Sequence, residues 1–440
     1  MQRIQGVLLI FIIFLFACST VKKTSSYSVP LAANPQTELL AAPDLAGAHI
    51  GFSVYDPTTK NYLYNYQGDK YFIPASNTKI ITCYAAMKYL GDSLVGLRYV
   101  NKENGTVEVE ANGDPSFLHP DFRFQPVYDF LKKQNSILLT DQNWKAKSLG
   151  MGWAWDDYES DYMAERSMLP IYGNVVHFNK SKQPQAIPSF FNHVLSNATK
   201  ITNGFYSIKR QLNANQFSAV PSKNVFVATD IPFYTGDNVL LTNLLQDTLK
   251  NSVQLAHFTL ERLPDVHLIH TQPTDSLLKI MMHRSDNFFA EQSLLMVSNQ
   301  LLGEMSSSKI IDSLINSDLK DLPQKPKWVD GSGLSRYNLF TPQDFVAVLL
   351  KMKTEFAWDR ITTILASGGS GTLGNYYKNI SGKIYAKTGS LSNNVALSGY
   401  LITKSGKTLI FSVLVSNYMG SGPAIRKNVE TFLTRIIENE

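Results

Sequence analysis

The chain has 440 residues, 44% of them hydrophobic and 18% charged, and a net charge of +5. This length and composition exclude a disordered chain and allow two to three domains with sizeable cores. The Lys and Arg residues are dispersed, which argues against nucleic acid as a partner and permits only weak attraction to an anionic polymer.

Met1-Gln2-Arg3 carries one positive charge, and residues 6–17 form an apolar stretch too short to span a bilayer comfortably and suited to a secretory h-region. Leu15-Phe16-Ala17-Cys18 closes it and resembles the bacterial lipoprotein cleavage box, although Phe16 is bulkier than usual there. That resemblance implies a signal peptide over residues 1–18, lipidation of Cys18 and a membrane anchor in the cell envelope. An ordinary signal peptide cut nearby would also export the protein. Residues 19–35, rich in Ser, Thr, Lys and Pro, read as a flexible tether. Cys83, the other cysteine, reads as a small buried hydrophobe rather than a reactive thiol.

Residues 36–42 read as a short helix. Ala48–Tyr55 and Asn61–Tyr66 alternate apolar with polar residues around an Asp-Pro turn, a β-hairpin. Pro74-Ala75-Ser76-Asn77-Thr78-Lys79 then opens an apolar helix ending at Gly91, with Ser76 expected in its first turn. Positions i and i+3 share a helix face, so Lys79 lies within reach of Ser76. A serine becomes a nucleophile beside a base, and a desolvated lysine can lose its proton near neutral pH. Residues 94–257 shift to short β stretches and read as an inserted β-rich domain, which leaves 36–93 and 258–440 as the main α+β domain. Residues 275–302 and 342–353 are expected to be helical, the second N-capped by Thr341. Lys383–Lys387 is a strand, 395–403 and 407–416 form a hairpin, and 426–438 is an amphipathic helix burying Val429, Phe432, Leu433 and Ile436.

Ser285-Asp286-Asn287, inside the expected 275–302 helix, and Lys387-Thr388-Gly389-Ser390 complete a set. Each motif is weak alone. In the order Ser-x-x-Lys, Ser-Asp-Asn, Lys-Thr-Gly they are the signature of penicillin-binding proteins and class A β-lactamases. The expected roles are Ser76 as nucleophile, Lys79 as proton acceptor, Ser285 as proton relay, and Asn287 as a two-sided amide for substrate and lysine. Lys387 would offer a cation to a substrate carboxylate, Thr388 a hydroxyl, and Gly389 a close backbone approach to substrate. By resemblance, the N–H groups of Ser76 and Ser390 form the oxyanion hole.

Ser76 and Ser285 are 209 positions apart, so an extra domain separates motifs that lie close in class A β-lactamases. This layout resembles the class C low-molecular-mass penicillin-binding proteins, D-Ala-D-Ala carboxypeptidases and endopeptidases. Gly113-Asp114-Pro115-Ser116, Gly152–Asp157, Ser285–Glu291, residues 330–336 (Asp-Gly-Ser-Gly-Leu-Ser-Arg) and Gly371-Thr372-Leu373 also match that family. The resemblance implies a transpeptidase-type α+β fold and a penicillin-sensitive serine peptidase acting on peptidoglycan stem peptides, with no cofactor. It also implies a nested subdomain of the insert that is reduced or absent. Asp156 or Asp157, with Arg336, would bind the amphoteric end of a diaminopimelate side chain; a surface-loop acid and a structural arginine are the plainer reading. Trp153 and Tyr158 read as packing, Ser332 and Ser335 as turn-stabilising. His119 and His283 lack neighbours at ligand spacing, so no metal is expected. A β-lactamase or esterase on the same scaffold, or a non-catalytic cell-wall-binding lipoprotein, are the alternatives.

Overall fold

The computed structural model describes residues 34–179, 184–197, 206–221, 227–236, 238–260 and 265–440. The signal segment, Cys18 and most of the expected tether lie outside them. The centre of the main domain is an antiparallel sheet of β1 (His49–Asp56), β2 (Asn61–Tyr66), β3 (Ile384–Leu391), β4 (Asn394–Ile402) and β5 (Thr408–Ser416). Its order is β3-β4-β5-β1-β2, with Ala366–Ser367 added at the β3 edge. The hairpin expected at the N-terminus and the one near the C-terminus therefore meet through β1 and β5, from opposite ends of the chain. Every residue of β4 from Asn394 to Leu401 is buried, as its near-continuous apolar run requires of a strand covered on both faces.

Four helices position the site: α1 (Lys79–Tyr89), α2 (Asn287–Leu302), α3 (Pro342–Glu355) and α4 (Gly422–Asn439). α4 lays the expected apolar face, including Val429, Phe432 and Leu433, on Phe52 and Val413. The opposite sheet face, with Ile410 and Leu414, packs in one core with Ile80, Leu294 and Phe345 of α1, α2 and α3. Thr341 caps α3 as expected, accepting from Asp344 N at 3.1 Å while the Asp344 carboxylate accepts from Thr341 N at 2.9 Å.

The insert is β-rich, as expected, but its boundaries differ. Its main sheet runs Ser252–Leu255, Ser136–Thr140, Thr106–Ala111, Ser93–Asn101 and His267–Pro273. The last strand lies beyond the expected limit at 257 and pairs with Ser93–Asn101, so entry and exit of the insert are hydrogen-bonded side by side. That pairing is non-local and leaves no mark in local periodicity. Two three-stranded sheets extend the insert, one of Leu195–Asn197, Phe217–Val220 and Ser207–Arg210, the other of Thr229–Pro232, Val175–Phe178 and Ala186–Ile187. The helix Asn238–Leu249 packs into its core.

α2 joins the two parts. All residues from Phe288 to Asn299 are buried, polar ones included. Gln292 donates to Gly113 O (2.8 Å) and Ser167 O (3.0 Å), and Asn299 donates to Asn112 Oδ1 (2.5 Å). Buried amides persist only where their hydrogen bonds are made, so these contacts fix the register of α2 against the insert.

Candidate active site

Ser76 sits half-buried in a 3-10 turn, Ala75–Thr78, and the α-helix begins only at Lys79. The turn begins at Ala75 with φ 49°, in the left-handed region that costs a non-glycine residue about 1–2 kcal/mol. The surroundings hold it there. Asn77 donates to Ser398 Oγ (2.6 Å), which donates to Ser412 Oγ (2.8 Å), bolting the turn to β4 and β5. A Cβ on Gly333 would collide with Ala75 O, and one on Gly389 would lie 2.6 Å from Pro74 O. The missing side chain at Gly389 thus lets the nucleophile turn approach the strand closely.

Lys79 is fully buried, and its Nζ reaches Ser76 Oγ (3.0 Å), Asn287 Oδ1 (2.6 Å) and Ser332 O (2.7 Å). Burial pushes its pKa down to about 8, against the opposing pull of Asp330, Asp286 and Glu291. The expected helical face-sharing of Ser76 and Lys79 is therefore realised across a turn–helix junction.

Ser285 closes a helical segment instead of lying in the middle of one continuous helix. Residues Thr274–Ile280 are α-helical, Met281–Ser285 widens into a π turn, and Ser285 has φ 62°. Asp286 then starts α2 afresh as its N-cap, accepting from Phe289 N at 2.8 Å. The break turns Ser285 toward Lys387 and frees Asn287, at the first position of α2, to face Lys79. The Asn287 amide is used on both sides, since its Nδ2 donates to Tyr162 O of the insert (2.9 Å).

Lys387 departs from expectation. It is fully buried, and its Nζ donates to Ser285 Oγ (2.8 Å) and Thr388 O (2.7 Å) rather than facing open cleft. Burial, then the neighbouring Lys79, holds its pKa well below the ordinary lysine value. A lysine so placed touches Ser285 directly, and Thr388 beside it is half-buried. Ser390 Oγ accepts from Arg426 of α4 (2.7 Å).

Asp157 ends a short 3-10 turn, half-buried, with the Tyr162 hydroxyl in hydrogen-bond reach, and Asp156 is exposed. Arg336 is exposed and donates to Ser392 O through both terminal nitrogens (3.2 Å each). The loops carrying them pack together: Trp153 Nε1 donates to Asp330 Oδ2 (3.0 Å), and a Cβ on Gly152 would lie 2.6 Å from the Tyr337 ring. Trp153 and Tyr158 are packing residues, each with an arginine over its ring, Arg166 and Arg210. Cys83 is buried, and burial pushes its thiol up to about 12. Among the described residues no three His, Cys, Asp or Glu side chains cluster at ligand geometry. A cavity of about 840 Å³ opens beside Ser285 and Asn287, walled by His119, Asp121, Tyr162 and Asp230.

Sequence reasoning missed Glu291, Arg166 and the carbonyl of Ser332. Ser332 and Ser335 do stabilise the turn, their hydroxyls accepting from Leu334 N (3.3 Å) and Tyr337 N (3.2 Å). The available signal was a charged residue, Glu291, four positions after Asn287 on a helix otherwise ready for burial.

With this geometry in view, comparison with known proteins is decisive. The family model of the D-Ala-D-Ala carboxypeptidase 3 (S13) family matches residues 32–437. The chain belongs to that family. This S13 enzyme is a serine D-Ala-D-Ala carboxypeptidase. It is 24% identical to D-alanyl-D-alanine carboxypeptidase DacB of Haemophilus influenzae, over 89% of this chain and 90% of that one. It is 25% identical to the D-alanyl-D-alanine carboxypeptidase of Actinomadura sp. (strain R39), over 88% of this chain and 81% of that one. Its fold is that of penicillin binding protein 4 (dacB) from H. influenzae, with a TM-score of 0.72 at 20% identity, covering 92% of this chain and 98% of the other. That protein has also been solved complexed with a β-lactam.

Proposed function

We propose that the enzyme cleaves peptidoglycan stem peptides through an acyl-enzyme on Ser76, with Lys79 as the base. The observation that carries this is the fully buried Lys79 ammonium 3.0 Å from the Ser76 hydroxyl. With a pKa of about 8, roughly one Lys79 in ten is neutral at pH 7 and able to take the serine proton. Ser76 Oγ attacks the carbonyl of the penultimate D-Ala as its proton passes to Lys79. The C–N bond breaks, and the proton that Lys79 took from Ser76 passes by way of the Ser285 hydroxyl to the leaving amine, which leaves Lys79 neutral again; Ser285 is itself held by Lys387. Water then attacks the ester, giving its proton to Lys79 and its hydroxyl to the acyl carbon; the acyl C–Oγ bond breaks, and Lys79 returns that proton to Ser76 Oγ. The N–H groups of Ser76 and Ser390 would hold the oxyanion, a contribution typically worth about 3 kcal/mol per donor.

β-Lactams enter the same scheme as acylating inhibitors, a reading supported by the β-lactam complex of the Haemophilus relative. The cavity beside Ser285 is large enough for peptide on the leaving side, which supports cleavage of D-Ala–diamino acid cross-links alongside terminal D-Ala release. Incubation with a fluorescent penicillin and peptide mapping, followed by assays on a D-Ala–D-Ala pentapeptide and a cross-linked muropeptide, tests this. An adduct on Ser76 with D-Ala release is expected. Rapid penicillin turnover without peptide cleavage would point to a β-lactamase instead.

The N-terminal apolar segment and Cys18 support export to the cell envelope and a lipid anchor. Mass spectrometry of the mature N-terminus is expected to find lipid on Cys18; an unmodified N-terminus further along would argue for an ordinary signal peptide.

A further inference from the structure

The three oxygens around Lys79 are not equivalent. A neutral amine has two N–H bonds and one lone pair. Asn287 Oδ1 (2.6 Å) and Ser332 O (2.7 Å) have no proton to give, so they take the two N–H bonds. Ser76 Oγ (3.0 Å) alone carries a proton, and the lone pair is left facing it. The aim of the base depends on where both acceptors sit. Asn287 is placed by α2 itself. Ser332 lies on the loop following Asp330, and its own N–H donates to Glu291 Oε1 at 2.8 Å. Glu291 stands one turn after Asn287 on the same face of α2. Its other oxygen, Oε2, accepts from Arg166 Nη1 of the insert at 3.1 Å. Arg166 gives its remaining donors to Lys147 O (2.8 Å), Leu149 O (3.0 Å) and Ser307 Oγ (3.3 Å). Glu291, Ser332 and Arg166 are all buried.

We propose that Glu291 is a positioning residue for the catalytic base: by gripping the Ser332 N–H it fixes the carbonyl that orients Lys79, and Arg166 ties that grip to the insert. The insert thereby takes part in aiming the lysine. This rests on Lys79 being the base.

Glu291→Gln is the discriminating change, because it leaves one oxygen for two donors. The guanidinium is the stronger partner, so the amide oxygen turns to Arg166 and its NH₂ faces the Ser332 N–H, releasing the loop. The acylation rate constant with a fluorescent penicillin is expected to fall about 30-fold, with the saturation constant unchanged, as for a base displaced by a fraction of an ångström. Adding Arg166→Met frees the amide oxygen for Ser332, and about tenfold of the loss is expected to return. A role confined to holding the insert in place predicts the opposite, a double variant worse than the single in step with its melting temperature. That result, or a Glu291→Gln enzyme acylating within about threefold of the parent, overturns the proposal. Should Glu291→Gln not fold, Arg166→Met with Glu291→Gln is compared with Arg166→Met with Glu291→Leu. The oxygen-bearing pair is expected to acylate about tenfold faster, and equal rates overturn the proposal. Undiminished acylation by Lys79→Met would instead sink the assignment of the base itself.

Discussion

The wall that holds Lys79 and the rim that carries Asp157 and Arg336 belong to adjoining loops, yet they are built in opposite ways. On the wall, Lys79, Glu291, Asp330 and Lys387 are buried, and each is hydrogen-bonded to at least one other element. On the rim, Arg336 is exposed and rests on one backbone carbonyl, while Asp157 is half-buried. Buried charges are costly unless fully paired, so the wall can exist in one arrangement only. An exposed rim costs little to reshape. The difference is one of burial: the serine–lysine pair is enclosed by buried, hydrogen-bonded groups, whereas Asp157 and Arg336 stand at the solvent edge.

Substitutions can break that division or sharpen it. The largest effect is expected for Ser76→Ala, which should abolish covalent penicillin labelling with the melting temperature nearly unchanged; continued labelling would relocate the nucleophile. Lys79→Met is expected to cost at least about 10⁴-fold in acylation rate, measured by stopped-flow. Lys387→Met comes next, at about 10²-fold, and should harm an uncharged ester as much as a free-acid peptide because the Lys387 amine is hydrogen-bonded to Ser285. A loss confined to the free acid would restore direct carboxylate binding. On the rim, Asp157→Asn and Arg336→Ala should raise KM about tenfold for peptides with a free diamino-acid side chain and leave penicillin acylation unchanged. Equal losses on both substrates would erase the distinction between wall and rim.

The wall also has a signature in pH. Acylation should rise with pH through about 8 as Lys79 loses its proton. Because the folded pKa lies below that of the unfolded lysine, the unfolded chain binds more protons between pH 8 and 10.5. Stability attributable to Lys79 therefore increases with pH across that window, by about 3 kcal/mol. Denaturation of the parent and of Lys79→Met at several pH values should show their difference changing by that amount in favour of the parent; a difference flat in pH would mean Lys79 is not perturbed.

Much of this was readable in advance. Helical spacing alone marks Phe432 and Leu433 as core, the residue type before Pro342 marks Thr341 as a cap, and alternation with turn residues locates the two hairpins within a few residues. The three-residue spacing of Ser76 and Lys79 suffices to bring their side chains together, at 3.0 Å. The helix expected over 275–302 is helical but broken in two after Ser285, because apolar periodicity continues across a break that Asp286 makes by capping. Lys387 was read by its charge, and nothing local reveals that its neighbours bury it.

The amino-acid sequence by itself determined the local elements, the three motifs and the serine–lysine pairing, all of which depend on neighbours a few positions apart. Tertiary structure alone decided that His267–Pro273 closes the insert's sheet, that Glu291 grips Ser332, and that Lys387 faces Ser285. Each of these joins residues dozens to hundreds of positions apart, where only packing and the need to satisfy buried polar groups select the partner.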